Sequence, residues 1–127
     1  MVDMNNLKQI NDEHGHKACD AYIKGCCRMI CDLFKHSPVF RIGGDEFVVI
    51  LDGRDYDNRM ALVKALKTGF AESYEQEDAE PWMRFSAAVG IAEYSSDNNT
   101  FELMFKRADK SMYDAKKKFK SQHSSYR

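Results

Sequence analysis

The chain has 127 residues, of which 43% are hydrophobic, enough for one α/β domain with its own core and too few for two. Nineteen basic residues against 20 acidic ones give a formal charge of −1, so no overall field favours a nucleic acid or an anionic membrane, and any phosphate must be held locally. No apolar run approaches the length of a membrane span, and the first residues lack the charged-then-apolar pattern of a signal peptide.

Met1 to Met4 read as the tail of a strand whose beginning is absent, as in an excised or truncated domain. Asn5 or Asn6 is positioned to cap a short helix through about Asp12, with Leu7 and Ile10 inward and Gly15 ending it. From Lys17 to Lys35, Cys19, Ile23, Cys26, Cys27, Ile30, Leu33 and Phe34 recur at three- and four-residue steps, which predicts an amphipathic helix. All four cysteines lie in this stretch. They read as reduced thiols, mostly buried; Cys27 and Cys31 have a spacing that could share a metal, but no second pair at zinc-site spacing accompanies them.

Ser37-Pro38 breaks the helix and admits the stretch Phe40-Arg41-Ile42-Gly43-Gly44-Asp45-Glu46-Phe47-Val48-Val49-Ile50-Leu51. Apolar, β-branched runs on both sides of two glycines predict a β-hairpin with a tight two-residue turn, where glycine adopts positive φ at little cost. Two adjacent acids at a bare turn between strands that look fully buried are costly unless a cation or a reacting proton uses them. Turn chemistry alone also allows a solvated hairpin with no site.

Asp52 to Asp55 is a predicted loop, and Tyr56, Met60, Val63, Leu66 and Phe70 mark a second long helix ending near Tyr74. Glu75 to Pro81 is an acidic connection, and Met83 to Ala92 suits a buried strand. Ser95 to Asn99 is a polar turn, with Thr100 capping a last helix whose apolar face is Phe101, Met104, Phe105, Ala108 and Met112. The Lys- and Ser-rich tail, 121–127, reads as frayed beyond a domain of residues 1–120, and no internal repeat or low-complexity linker is present.

Gly43-Gly44-Asp45-Glu46-Phe47 resembles the signature of the GGDEF family, and further motifs fall in that family's order. Upstream are Asp3 to Asp12, Gly15-His16 and Asp20; downstream are Ser86 to Ala92 and Arg107 to Lys116. The resemblance implies a single α/β domain with a mixed central sheet surrounded by helices, similar to nucleotidyl cyclases and polymerase palms. It also implies diguanylate cyclase activity, the condensation of two GTP molecules to cyclic di-GMP with release of pyrophosphate. A non-catalytic GGDEF-like module that binds GTP and regulates a partner is the alternative, and a structural domain without ligand a third.

The implied chemistry assigns roles to residues that each have an ordinary reading as well. Asp3, the carbonyl of Met4, Asp45 and Glu46 would hold Mg²⁺ or Mn²⁺, with Asp45 the proton acceptor and Glu46 a further ligand or close neighbour. Alone, Asp3 is a solvated strand-end acid. Asn11 and Asp20 would read the guanine, whose N1–H and N2–H₂ donors suit an amide and an acid, although Asn11 also serves a helix end. Lys8, Lys116 and Lys120 would face the triphosphate, and bare Gly43 and Gly44 would leave room for it; a lysine run is otherwise a solvated helix end. Asp109 reads as structural. The resemblance further implies a cytoplasmic bacterial enzyme, a catalytic homodimer and a fused upstream sensor.

Four features depart from the family's pattern. Cys19 replaces a glycine before Asp20, Phe119-Lys120-Ser121 replaces a Gly-Arg-Asn turn, and the usual N-terminal segment is missing. Many members carry Arg-x-x-Asp upstream of the hairpin as a product-binding brake. Here Phe34-Lys35-His36-Ser37 supplies neither the guanidinium fork nor the carboxylate.

Overall fold

The structure is a computed structural model that describes residues 1–93 and 101–122, apart from the side chain of Phe101. Strand β1 (Val2–Met4) leads into α1 (Leu7–His14) and α2 (His16–Leu33); the hairpin β2 (Val39–Arg41) and β3 (Glu46–Val49) follows. Then come α3 (Gly53–Asp57), α4 (Arg59–Tyr74), a 3₁₀ turn at Pro81–Met83, β4 (Ala87–Val89) and α5 (Phe101–Gln122). The strand order is β2-β3-β1-β4. Every pairing among the described strands is antiparallel, where a mixed sheet was expected.

Alternation along β1 sorts the fold into layers. Val2 and Met4 point to one face and join Tyr22, Cys26 and Ile30 of α2 and Val63, Leu66 and Phe70 of α4 in the core. Asp3 points to the other face, where its neighbours across the sheet are Glu46 and Ala88 and where α5 lies. Burying the apolar set formed by β1, α2 and α4 with Phe47, Phe34 and Val89 is the main stabilising term of such a domain.

Helix α5 comes unusually close to the sheet because Gly90 has no side chain. A Cβ there would stand 2.2 Å from the Met112 nitrogen and 2.5 Å from the Ala108 oxygen, distances no real contact tolerates. Gly90 therefore sets the height of α5 over the sheet. Met112 is buried against that surface, and Lys116 lies one turn further on.

Several elements differ from the sequence-based expectation. The helix expected over Tyr56 to Tyr74 is broken at Asn58, whose side chain turns back to the Arg54 carbonyl. Asp55, expected in a loop, is buried in α3 and accepts from the His36 backbone N–H (2.9 Å) and the Ser37 hydroxyl (2.6 Å), fastening the connection after α2. The strand expected from Met83 is confined to Ala87–Val89. Helix α1 runs on to His14, and its N-cap Asn6 sits at φ 64 without a side-chain capping bond.

The hairpin strands are not both buried. β2 is an edge strand, with Phe40 and Ile42 about half exposed. Of the thiols, Cys26 is buried, Cys19 and Cys27 are intermediate and Cys31 is exposed. The apolar face of α2 also includes Tyr22, which the periodicity did not single out. The polar turn at 95–99 and its cap at Thr100 lie outside the described residues, as does the tail from residue 123; α5 itself continues to Gln122.

A carboxylate cluster at the hairpin tip

The register that pairs β1 with β3 sets Asp3 directly opposite Glu46, and the Met4 N–H donates to the Asp45 carbonyl at 2.8 Å. Two carboxylates facing each other across a ladder repel, and a third, Asp45, directly precedes Glu46. Asp3, Asp45 and Glu46 each offer an oxygen, and these oxygens lie within 4.8 Å of one another. Asp3 is only 8% exposed, while Asp45 and Glu46 are half-buried.

A cation from the opposite layer answers this charge. Lys116 Nζ donates to Asp3 Oδ1 at 2.9 Å and to the Met4 carbonyl at 3.0 Å. Both side chains of the pair are largely shielded from water. Burial pushes the Asp3 carboxyl up to about 6; the Lys116 ammonium pulls it down and the Asp45 carboxylate pushes it further up. Burial outweighs the lysine in this balance.

The turn itself is built differently from expectation. Ile42 N–H donates to the Glu46 carbonyl at 3.0 Å, so Gly43, Gly44 and Asp45 form a three-residue loop, and neither glycine has positive φ. The loop closes without a left-handed residue, unlike the usual three-residue hairpin. Arg41 ties the loop down, donating through Nε to the Gly43 carbonyl (3.2 Å) and through Nη2 to the Gly44 carbonyl (2.7 Å). Both glycines are exposed, and a Cβ at Gly44 would meet nothing, so the tip is open to solvent.

Of the residues expected at the site, the structure brings together Asp3, the Met4 carbonyl, Asp45, Glu46 and Lys116, beside Gly43 and Gly44. Lys8 and Asn11 lie outside this cluster on α1, Asp20 near the start of α2, and Lys120 one turn beyond Lys116 on α5. Lys8, Asp20 and Lys120 are exposed. Asn11 Oδ1 is buried and accepts no hydrogen bond, and the same holds of Asn5 Oδ1 and Asn6 Oδ1. Cys19, beside Asp20, has its thiol pushed up by burial and by Asp20, while Arg41 opposes.

Sequence reasoning missed two features of this region. Arg41, two residues before the glycines, carried a signal in its placement alone. The support beneath the site carried none: the Tyr22 hydroxyl donates to the Asn5 carbonyl (2.7 Å), lies 2.8 Å from the Ser86 carbonyl and accepts from the Ser86 N–H (3.1 Å). Asn5 Nδ2 donates to Ser86 Oγ at 2.9 Å, locking the end of β1 to β4.

The fold is thus an antiparallel α/β domain with carboxylates clustered on a glycine-bared hairpin and faced by lysine from another layer. The family described as "Diguanylate cyclase, GGDEF domain" matches residues 1–122, and the chain belongs to it. It is 32% identical over 118 residues to the diguanylate cyclase DgcS of Shewanella oneidensis, covering 91% of this chain and 38% of that protein. It is 31% identical over 116 residues to the bifunctional diguanylate cyclase/cyclic di-GMP phosphodiesterase MucR of Pseudomonas aeruginosa, covering 91% of this chain and 17% of that one.

A solved EAL/GGDEF domain protein from M. capsulatus superposes with a TM-score of 0.73 at 30% identity, over 92% of this chain and 76% of that chain. The active GGEEF domain of a diguanylate cyclase from Vibrio cholerae shares the fold at a TM-score of 0.77 and 24% identity, over 92% of this chain and 74% of that one. The chain spans less than two fifths of the length of the curated relatives described here.

Proposed function

We propose that this domain is a diguanylate cyclase, condensing two GTP molecules to cyclic di-GMP and pyrophosphate. The observation that carries the reading is the convergence of Asp3, Asp45 and Glu46 within 4.8 Å at an open hairpin tip. The donor set fits a hard divalent cation: three carboxylates and the Met4 carbonyl offer only oxygen, and the Lys116 ammonium already stands among them as a positive charge. Asp3, Met4, Asp45 and Glu46 would hold Mg²⁺ or Mn²⁺, which when bound neutralises phosphoryl charge and makes the 3′-hydroxyl more acidic.

The chain's own groups supply the rest. Asp45 accepts the proton of the ribose 3′-hydroxyl as it attacks the α-phosphate, and Glu46 keeps the site anionic beside it. Lys8, Lys116 and Lys120 neutralise the triphosphate, so Lys116 exchanges its bonds to Asp3 and Met4 for phosphate oxygens. The unpartnered Oδ1 of Asn11 and the carboxylate of Asp20 accept from the guanine N1–H and N2–H₂. Gly43 and Gly44 leave the approach open, and Arg41 holds their carbonyls back.

One domain holds one GTP, so closing a two-nucleotide ring requires two copies with their hairpin tips facing, a catalytic homodimer. The greater length of the relatives supports an upstream sensor in the whole protein, and use of GTP fits a cytoplasmic setting with no nucleic-acid or membrane contact by this domain. The functional unit is residues 1–120, with 121–127 its tail. Incubation with GTP and Mg²⁺ followed by mass spectrometry tests the reading. Cyclic di-GMP is the expected product; GTP binding without product would instead make the domain a regulatory binding module.

A further inference from the structure

Helix α2 carries all four thiols, and the fold gives them different circumstances. Cys26 is completely buried, and burial pushes its thiol up to about 12, so it is inert to solutes. Cys27 and Cys31 sit one turn apart on an unbroken helix, with their sulfurs 3.9 Å from each other. Cys31 is exposed and Cys27 is half-buried against the core; both are free thiols. Residues four apart on a helix share one face, so this pair presents two sulfurs to solvent with no backbone change needed.

The surroundings narrow what such a pair can hold. Among the described residues, the one grouping of three or more His, Cys, Asp and Glu side chains is Asp3, Asp45 and Glu46, so tetrahedral zinc would find two ligands here and lack two. Burial and the neighbouring thiol raise Cys31 above an ordinary cysteine, which disfavours reagents that need a preformed thiolate. The fitting ligand is soft, takes two sulfurs, brings its own third substituent and carries away both protons.

We propose that Cys27 and Cys31 form a chelating site for monosubstituted trivalent arsenicals. In the binding step an organoarsenic oxide meets the two thiols; two arsenic–sulfur bonds form while the arsenic–oxygen bond and both S–H bonds break. The two protons leave with the oxide oxygen as one water molecule, and neither arsenic nor sulfur changes oxidation state. The ring closes over a single helical turn. It lies outside the carboxylate cluster and does not depend on the cyclase reading.

Titration of the full chain with phenylarsine oxide, followed by intact mass and a count of remaining thiols, tests this. The expected result is a one-to-one adduct in which two of the four thiols disappear, the helical circular dichroism is unchanged, and a small dithiol reverses binding where an equal concentration of monothiol does not. Cys31→Ser, at an exposed position, leaves a single sulfur and should weaken binding by roughly 10²-fold, the loss of the second, intramolecular contact; Cys27→Ser should do the same. Cys19→Ser should leave affinity unchanged. An adduct of equal affinity in Cys31→Ser, thiol loss without an adduct, or binding that consumes helix would each overturn the proposal.

Discussion

Asp3 and Asn5 are two residues apart, and they anchor two polar clusters of opposite character. Around Asn5, the Tyr22 hydroxyl and Ser86 exchange short hydrogen bonds within the protein, all of them buried and uncharged. Around Asp3, three carboxylates converge, Asp3 pairs with Lys116, and burial raises the Asp3 carboxyl to about 6. The bonds of the first cluster run between groups of the protein itself and hold β1 to β4, although Asn5 Oδ1 is left without a partner. The second gathers three carboxylates around one ion pair, the charge balance on which the proposed cation site rests.

Substitutions should separate the two clusters. The largest effect is expected from Asp45→Asn, which removes a charge without changing volume: cyclic di-GMP formation should fall by about 10³-fold or more, the loss typical of a missing ligand or base. Thermal unfolding should be nearly unchanged. Turnover near that of the parent would remove Asp45 from the chemistry.

Lys116→Met probes the bond between the layers. It strands the buried Asp3 carboxylate, and the expected cost is about 3 kcal/mol of stability in the absence of divalent cation. Added Mn²⁺ should recover more melting temperature in this variant than in the parent, because the carboxylates lose their resident ammonium. Equal recovery in both would mean that the lysine and the cation do not share ligands.

Tyr22→Phe is the complementary change. Losing the hydroxyl unpairs buried groups of Asn5 and Ser86 at an expected cost of 1–3 kcal/mol, about that of a buried hydrogen bond left unmade. Denaturant unfolding should register this loss while turnover per folded molecule stays within about twofold; a larger fall in turnover at full folding would show that the support also shapes the site.

The smallest effect is expected after the end of α2. Phe34 belongs to the core and Ser37 donates to Asp55, so neither position of the would-be product brake offers a free fork or carboxylate. Calorimetric titration of cyclic di-GMP should show no saturable binding that depends on Lys35 and His36. Low-micromolar binding lost on replacing both would refute this.

The sequence exposed those features whose cause is local. The period of α2, the turn-rich break at Ser37-Pro38 and the bare glycines before two acids are readable because each depends on neighbours within a few residues. The carboxylates of the hairpin could be named for the same reason, and Asp3 could be set beside them by resemblance alone.

Only the tertiary structure decided what depends on partners distant in the chain. The all-antiparallel order, the cross-strand pairing of Asp3 with Glu46, and the tie from Asp3 to Lys116, 113 residues away, leave no pattern in any short window. The same holds for Tyr22, whose hydroxyl meets residues 17 and 64 positions distant, and for Gly90, where the missing Cβ sets how close α5 may come. Periodicity tells a residue which side of its own element is inward; which group waits there is fixed by how the elements pack.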